Sequence, residues 1–432
     1  MEIKPGDRIR IYKDKQTFEG IVLPKTEYDD KNSIIIKLDN GYNIGIKIDK
    51  NTKIEKLGER KELEKFPLKK PEKRPELPSI SLISTGGTIA SRIDYVTGGV
   101  QMAFSPEEIL FSVPELESLV SIDSVVPLFN KASEDLIYKN WQRIAEEVYK
   151  QIRKKDVHGV VITHGTDTMH FTSAALSFFI RNLNKPVVLT GAQRSSDRGS
   201  SDAKMNIICS AIASGYSDIA EVGIVMHATS EDTYCYFHRG TKVRKMHTSR
   251  RDAFKSINTK PLAKIYPENK IKILNKEYEK FDENRKPELD NKFEPDVTLI
   301  KVHPNSKPEI IDLLIDNLGI KGIVIEGTGL GHVPTQTDEE KYSWIPHIKN
   351  AVDSGIPVVM TSQCLHGRVH PYVYRNLRIL TKAGVIWGED MLPEVAYVKL
   401  GWVLAHTRDM EKIKEIMTTN YAREITPRTE FL

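Results

Sequence analysis

Residues 80–91 read ISLISTGGTIAS: an apolar run ending in two threonines, Thr85 and Thr88, wrapped around Gly86-Gly87. A run of strand length with no polar alternation belongs in a sheet covered on both faces, the situation of a parallel strand in an α/β layer. GVVIT (159–163), PVVLT (186–190) and VGIVM (222–226) have the same character. Between 163 and 186 lies MHFTSAALSFFIRNL (169–183), long and apolar enough to be a covering helix. Strand, helix, strand is the arithmetic of a βαβ unit, so the chain from Ser79 onward reads as α/β with a parallel sheet.

A second rhythm of the same kind starts at VTLIKV (297–302). It continues through a helix-like IIDLLIDNL (310–318), then KGIVIEGTGLG (321–331), a candidate helix around WIPHIKNAVDSG, and IPVVMTSQC (356–364). The amphipathic RDMEKIKEIM (408–417) reads as a surface helix near the C-terminus. Residues 267–295 are polar and rich in Lys, Glu and Asn, which predicts a connection between two α/β domains, 79–266 and 296–432.

Upstream the pattern differs. DRIRIY, TFEGIVLP, SIIIKLDNG and YNIGIKID are short β-rich runs, and Asp39-Asn40-Gly41 is a hairpin signal. Four or five short strands within residues 1–57 predict a small all-β barrel. Residues 58–78 hold Pro67, Pro71, Pro75 and Pro78 among charges of both signs and read as an extended linker.

Composition narrows the class. The chain has 432 residues, 39% hydrophobic and 28% charged, enough for two or three globular domains. No apolar run approaches the roughly 20 residues that span a bilayer, and MEIKPGDRIR lacks the apolar core of a signal peptide, so a cytoplasmic protein without membrane association is expected. Residues 1–78 hold 19 Lys/Arg against 15 Asp/Glu, an excess equal to the whole net charge of +4. The signs alternate along that segment, which fits a solvated linker better than a groove for a polyanion. Cys209, Cys235 and Cys364 are far apart, without CxxC spacing, and read as buried thiols with no structural metal.

Ligands of an open parallel sheet sit beyond the carboxyl ends of its strands. The segments there are STGGT (84–88), THGTDT (163–168) and TGAQRSS (190–196), small hydroxyl residues and glycines where backbone approaches a ligand closely. The first has neither GxGxxG spacing nor the lysine of GxxxxGK[ST], which excludes both nucleotide fingerprints. A threonine hydroxyl becomes a nucleophile when a neighbouring base removes its proton; Asp167 can orient such a base, and a desolvated lysine can be one.

ISTGGTIAS together with VVITHGTDTM resembles the paired signature motifs of the asparaginase and glutaminase family of amidohydrolases, and the likeness runs through KPVVLTGAQRSSDRGSSDAKMN and IVIEGTGLGHVP over residues 79–432. The resemblance implies an asparaginase-like body, a larger N-terminal and a smaller C-terminal α/β domain. It implies catalytic roles for Thr88, Thr166 and Asp167. The family's catalytic lysine, counted back from Phe254-Lys255-Ser256, falls on Lys245, with Lys242 close by in the same segment. Thr85, Gly87, the lid tyrosine Tyr95, Ser133 and Glu134 fall on substrate-binding positions; Glu134 stands where free asparaginases often have glutamine.

The barrel and linker ahead of that body make the whole chain similar to the D-subunit family of archaeal-type glutamyl-tRNA(Gln) amidotransferases, as do TSQCLHGRVHPYVY (361–374) and EDMLPEVAYVKLGW (389–402). This implies a glutaminase subunit with a threonine nucleophile, needing no cofactor of its own. It would form a homodimer within a heterotetramer with an E-type subunit, which would hold ATP and Mg, engage the tRNA and use the ammonia to convert Glu-tRNA(Gln) to Gln-tRNA(Gln). A free-standing L-asparaginase is the alternative, and a non-catalytic binding module is a third reading.

Overall fold

The computed structural model describes residues 3–24, 30, 32–39, 42–58, 73–87, 113–195 and 199–428, and the backbone alone of 91–93 and 100–102. Most of the linker, Thr88, Tyr95 and the Asn40-Gly41 pair lie outside the described residues.

Strands β1 (Arg8–Lys13), β2 (Gln16–Val22), β3 (Ser33–Leu38), β4 (Asn43–Lys47) and β5 (Thr52–Gly58) form one antiparallel sheet in the order β4-β3-β2-β1-β5. The chain runs as a meander through β4, and β5 then returns to the far edge beside β1. Alternation decides which side chains are enclosed: Ile9, Ile11 and Ile36 are fully buried, and Val22, Ile34 and Ile46 join them in a core of their own. Each such side chain contributes about 1.5–3 kcal/mol on burial.

The body is built on an eight-stranded sheet. Its parallel part comprises β6 (Ser79–Gly86), β7 (Ser121–Lys131), β8 (Val157–Thr163), β9 (Val187–Thr190) and β10 (Val222–His227) in the order β7-β6-β8-β9-β10. Antiparallel β11 (Cys235–Arg239), β12 (Ala263–Tyr266) and β13 (Lys270–Ile273) extend it beyond β10. Helices α1 (Tyr138–Ile152), α2 (Met169–Phe179) and α3 (Ala203–Tyr216) cover its faces, so β9 and β10 are buried along their whole length, while β7 at the edge keeps polar, partly exposed positions.

The C-terminal domain has a parallel sheet of β14 (Val297–Lys301), β15 (Gly322–Gly327), β16 (Val358–Ser362) and β17 (Ile386–Trp387). Its helices are α4 (Ile310–Leu318), α5 (Ile345–Asp353), α6 (Arg375–Lys382), α7 (Pro393–Leu404) and α8 (Met410–Thr418). Both domains share one apolar core, because α7 is buried on nearly every side between β15 and α2. Phe178 of α2 stacks on Trp402 of α7 at 5.9 Å, and Phe293 lies edge-on to Trp141 at 5.6 Å.

Three expectations need correction. Helix α2 stops at Phe179; Ile180 and Arg181 instead pair with Leu289 and Glu288, so backbone pairing overrides the apolar pattern. The segment 267–295, expected as a plain connection, supplies the edge strand β13, whose alternating exposure is that of a sheet edge. Cys209 and Cys235 are buried, but Cys364 is exposed, lying just past β16 where the chain has left the sheet.

A candidate active site at the strand ends

Register brings the three glycine-rich segments to one place. Thr163 of β8 stands opposite Ser84 of β6 on one side and Thr190 of β9 on the other. STGG, HGTD and GAQ therefore leave the sheet at the same height, on the edge where a parallel sheet collects its ligands. Thr85 is buried, and its hydroxyl donates to the Thr163 carbonyl at 2.9 Å, locking the first turn onto the neighbouring strand.

The glycines are there for space and backbone shape. Gly86 and Gly87 have φ of +107° and +84°, left-handed values that favour glycine. A Cβ on Gly87 would lie 2.4 Å from the Gly165 nitrogen, and one on Gly165 would lie 2.7 Å from Ser133 Cβ. Only unsubstituted backbone lets these three segments stack.

Past Gly165, the buried Thr166 and the exposed Asp167 face the hairpin formed by Val243–Lys245 and Phe254–Ser256. Lys245 Nζ donates to Thr166 Oγ1 at 2.8 Å and to Asp167 Oδ1 at 2.7 Å. The lysine side chain is 10% exposed and that of Asp167 66%, so the amino group meets solvent mainly through its carboxylate partner. Lys242, the neighbouring candidate, points away: it is fully buried and bonds Asp390 Oδ2 at 2.8 Å.

Ser133 and Glu134 occupy a short 3-10 turn after β7. Ser133 is buried beside Gly165; its Oγ accepts from the Thr168 amide at 3.4 Å and its carbonyl from Thr168 Oγ1 at 2.8 Å. Glu134 is exposed. The structure thus gathers Thr85, Gly87, Ser133, Thr166, Asp167 and Lys245 at one edge, while Thr88 and Tyr95 lie outside the described residues.

His164 is a packing residue. Its Nδ1 faces the Gly165 carbonyl at 2.7 Å and must donate, while Nε2 accepts from the Thr172 hydroxyl at 2.9 Å. Burial pushes its pKa down to about 4, consistent with a neutral ring.

Sequence reading passed over Arg244, inside the Lys245 hairpin, and His170 and Glu394, which lie against it. The only signal was positional, since Arg244 precedes Lys245 and Glu394 falls inside the segment EDMLPEVAYVKLGW.

Comparison with known proteins agrees with this arrangement. Residues 79–279 match the family model for the asparaginase N-terminal domain, residues 296–417 that for the glutaminase/asparaginase C-terminal domain, and residues 3–57 that for the GatD N-terminal domain. The D subunit of a glutamyl-tRNA(Gln) amidotransferase from Thermococcus kodakarensis is 53% identical over 431 residues, 99% of this chain and 95% of the relative. The chain belongs to the D-subunit family of glutamyl-tRNA(Gln) amidotransferases. Members from Pyrococcus furiosus and Methanopyrus kandleri are 54% and 49% identical, over 99% and 97% of this chain and 96% and 91% of theirs.

For this D-subunit family member, the asparaginase-like fold extends to solved structures. The thermostable L-asparaginase from Thermococcus kodakarensis superposes with a TM-score of 0.71 at 32% identity, covering 81% of this chain and 99% of that one. L-asparaginase I from Vibrio cholerae gives 0.69 at 28%, with the same coverage. Among the described residues, no helix of this family member is long and apolar enough to cross a membrane.

Proposed function

We propose that this chain is the glutaminase subunit of a tRNA-dependent amidotransferase, releasing ammonia from the glutamine side chain for a partner subunit. The observation that carries the reading is Lys245 Nζ held between Thr166 Oγ1 and Asp167 Oδ1, on the sheet edge where the Gly86-Gly87 turn leads into Thr88. In this mechanism Thr88 Oγ attacks the carboxamide carbon and its proton passes through Thr166 to the amine of Lys245, which Asp167 stabilises as it becomes an ammonium. Backbone N–H groups of the glycine turn receive the developing oxyanion. The tetrahedral intermediate collapses with the relayed proton on nitrogen, ammonia leaves, and water cleaves the acyl-threonine ester to give glutamate and free Thr88. Ser133 and Glu134 hold the amino-acid end of the substrate, Tyr95 closes over it, and Asp167 orients the lysine.

Ammonia exposed to neutral water protonates and loses its lone pair, so a synthesis that consumes it benefits from a bound partner. The D-subunit relatives are named as one subunit of a glutamyl-tRNA(Gln) amidotransferase, which supports a partner subunit. The partner in this reading is an E-type subunit that would hold ATP and Mg, engage the tRNA and convert Glu-tRNA(Gln) to Gln-tRNA(Gln). The assembly proposed is a homodimer of this chain within a heterotetramer in the cytoplasm. The test is ammonia release from glutamine and asparagine by the purified chain, with and without an E-type subunit and tRNA. Stimulation on glutamine by the partner is expected; vigorous asparagine hydrolysis indifferent to partner and tRNA would favour a free-standing asparaginase instead.

A further inference from the structure

The hairpin that carries Lys245 is fastened to the C-terminal domain at three points. Before it, the fully buried Lys242 bonds Asp390 Oδ2 at 2.8 Å and the Asp390 carbonyl at 3.2 Å. After it, Asn258 donates to the Gly367 and Asp390 carbonyls at 3.0 and 3.3 Å and accepts from the Gly367 amide at 2.9 Å. Within it, Arg244 Nε meets Glu394 Oε1 at 3.3 Å.

Glu394 differs from the other two anchors because it touches both halves of the site. The same Oε1 lies 3.8 Å from Nε2 of His170, in the first turn of α2, three residues beyond Asp167. His170 is itself buried; burial, with Arg244 and Lys245 nearby, pushes its pKa down to about 3, so it is a neutral neighbour. Arg244 is then the cation Glu394 meets here, and Oε1 makes no hydrogen bond. The Glu394 side chain is 3% exposed, and burial raises its pKa while Arg244 opposes the rise. A carboxylate in so dry a place is costly unless a cation and hydrogen bonds compensate it, and here the cation is Arg244. It sits in the first turn of α7, whose helix packs into the core shared by the domains.

We infer that Glu394 is a positioning residue for Lys245: braced on α7, it holds Arg244 of the hairpin against the start of α2 and so sets the distance from Lys245 Nζ to Thr166 and Asp167. This rests on the amidohydrolase reading for its kinetic consequence, though not for its geometric one. Misplacement of about 1 Å in a reacting group costs on the order of 100-fold in rate, and a proton-relay group misplaced in this way lowers kcat with little effect on KM.

The experiment compares Glu394→Gln, Arg244→Met and the double variant in the full-length complex. Ammonia release from glutamine is measured for each, together with a thermal melt and a crystal structure of Glu394→Gln. The expectation is a kcat reduced about 10- to 100-fold with KM within about twofold, the double variant no worse than either single one, and Lys245 Nζ more than about 3.5 Å from Thr166 Oγ1, outside hydrogen-bond range. A folded Glu394→Gln protein with wild-type kcat, or with the Lys245 contacts unmoved, would overturn the inference. A lowered melting temperature with unchanged kcat would reduce Glu394 to domain glue and overturn it equally. If Glu394→Gln fails to fold, Arg244→Met, whose side chain is about one-third exposed, reads the same linkage. A wild-type complex inactive on glutamine and asparagine would refute the amidohydrolase reading, while the crystal structure would still decide the positioning role.

Discussion

At position 245 a single amino group joins a buried hydroxyl to a largely solvated carboxylate, and that asymmetry separates its chemistry from its contribution to stability. Replacing Lys245 with Met leaves Asp167 in water, so the melting temperature should change little, whereas loss of a positioned proton carrier should cost about 10²- to 10⁴-fold in kcat. Steady-state ammonia release with a parallel thermal melt checks both halves. The cysteines give a second residue-scale expectation. Cys364 is exposed, while Cys209 and Cys235 are buried and desolvation pushes the Cys235 thiol up. Under native conditions a thiol reagent should therefore label Cys364 alone, and all three positions after unfolding; rapid native labelling at Cys235 would contradict the burial.

At the level of elements, α7 and the segment after α8 are tied by a pair that sequence does not reveal. Lys399 and Glu424 are both fully buried, with Lys399 Nζ 2.5 Å from Glu424 Oε1 and also donating to the carbonyls of Met417 and Thr419 at 2.9 and 2.6 Å. Lys399→Met leaves a buried carboxylate without its cation and should destabilise the fold by about 3–5 kcal/mol. Adding Glu424→Gln should recover much of that loss, and denaturant titrations of the two variants make the comparison. No recovery in the double variant would mean that the carbonyl bonds, not the ion pair, carry the effect.

Over the whole molecule, acid sensitivity should come partly from buried imidazoles. Burial pushes His164 down to about 4, and His170 and His238 to about 3. An unfolded histidine titrates near 6.5, so between about pH 6.5 and 4 the unfolded chain binds protons that the folded chain refuses. Stability therefore rises with pH across that window and falls on acidification, by up to about 1.4 kcal/mol per pH unit for each ring. The urea midpoint should drop between pH 7 and pH 5, less steeply in His238→Gln; a midpoint indifferent to pH would rule this out.

Much of the architecture was legible because apolar periodicity is a local property. The four runs at 80–84, 159–163, 186–190 and 222–226 each became a parallel strand, and the short alternating runs before residue 58 became the separate five-stranded sheet. Helix α2 was read too long because pairing of Ile180 with Leu289 involves a partner more than a hundred residues away. The motifs STGGT and HGTDT likewise stand out as short contiguous patterns, although what holds them is distant in sequence: Thr85 bonds the Thr163 carbonyl, and Gly87 packs on Gly165. What no local pattern holds is which lysine faces Thr166. Lys242 and Lys245 are three residues apart in one segment, and the choice follows from the Val243–Lys245 hairpin sending one into the core toward Asp390 and the other to the sheet edge. Chain chemistry alone specified strands, turns and a set of reactive groups; the distances among those groups, and the C-terminal carboxylates beneath them, were settled by packing two domains on one core, because desolvation and charge pairing depend on contacts that exist only after the chain has folded.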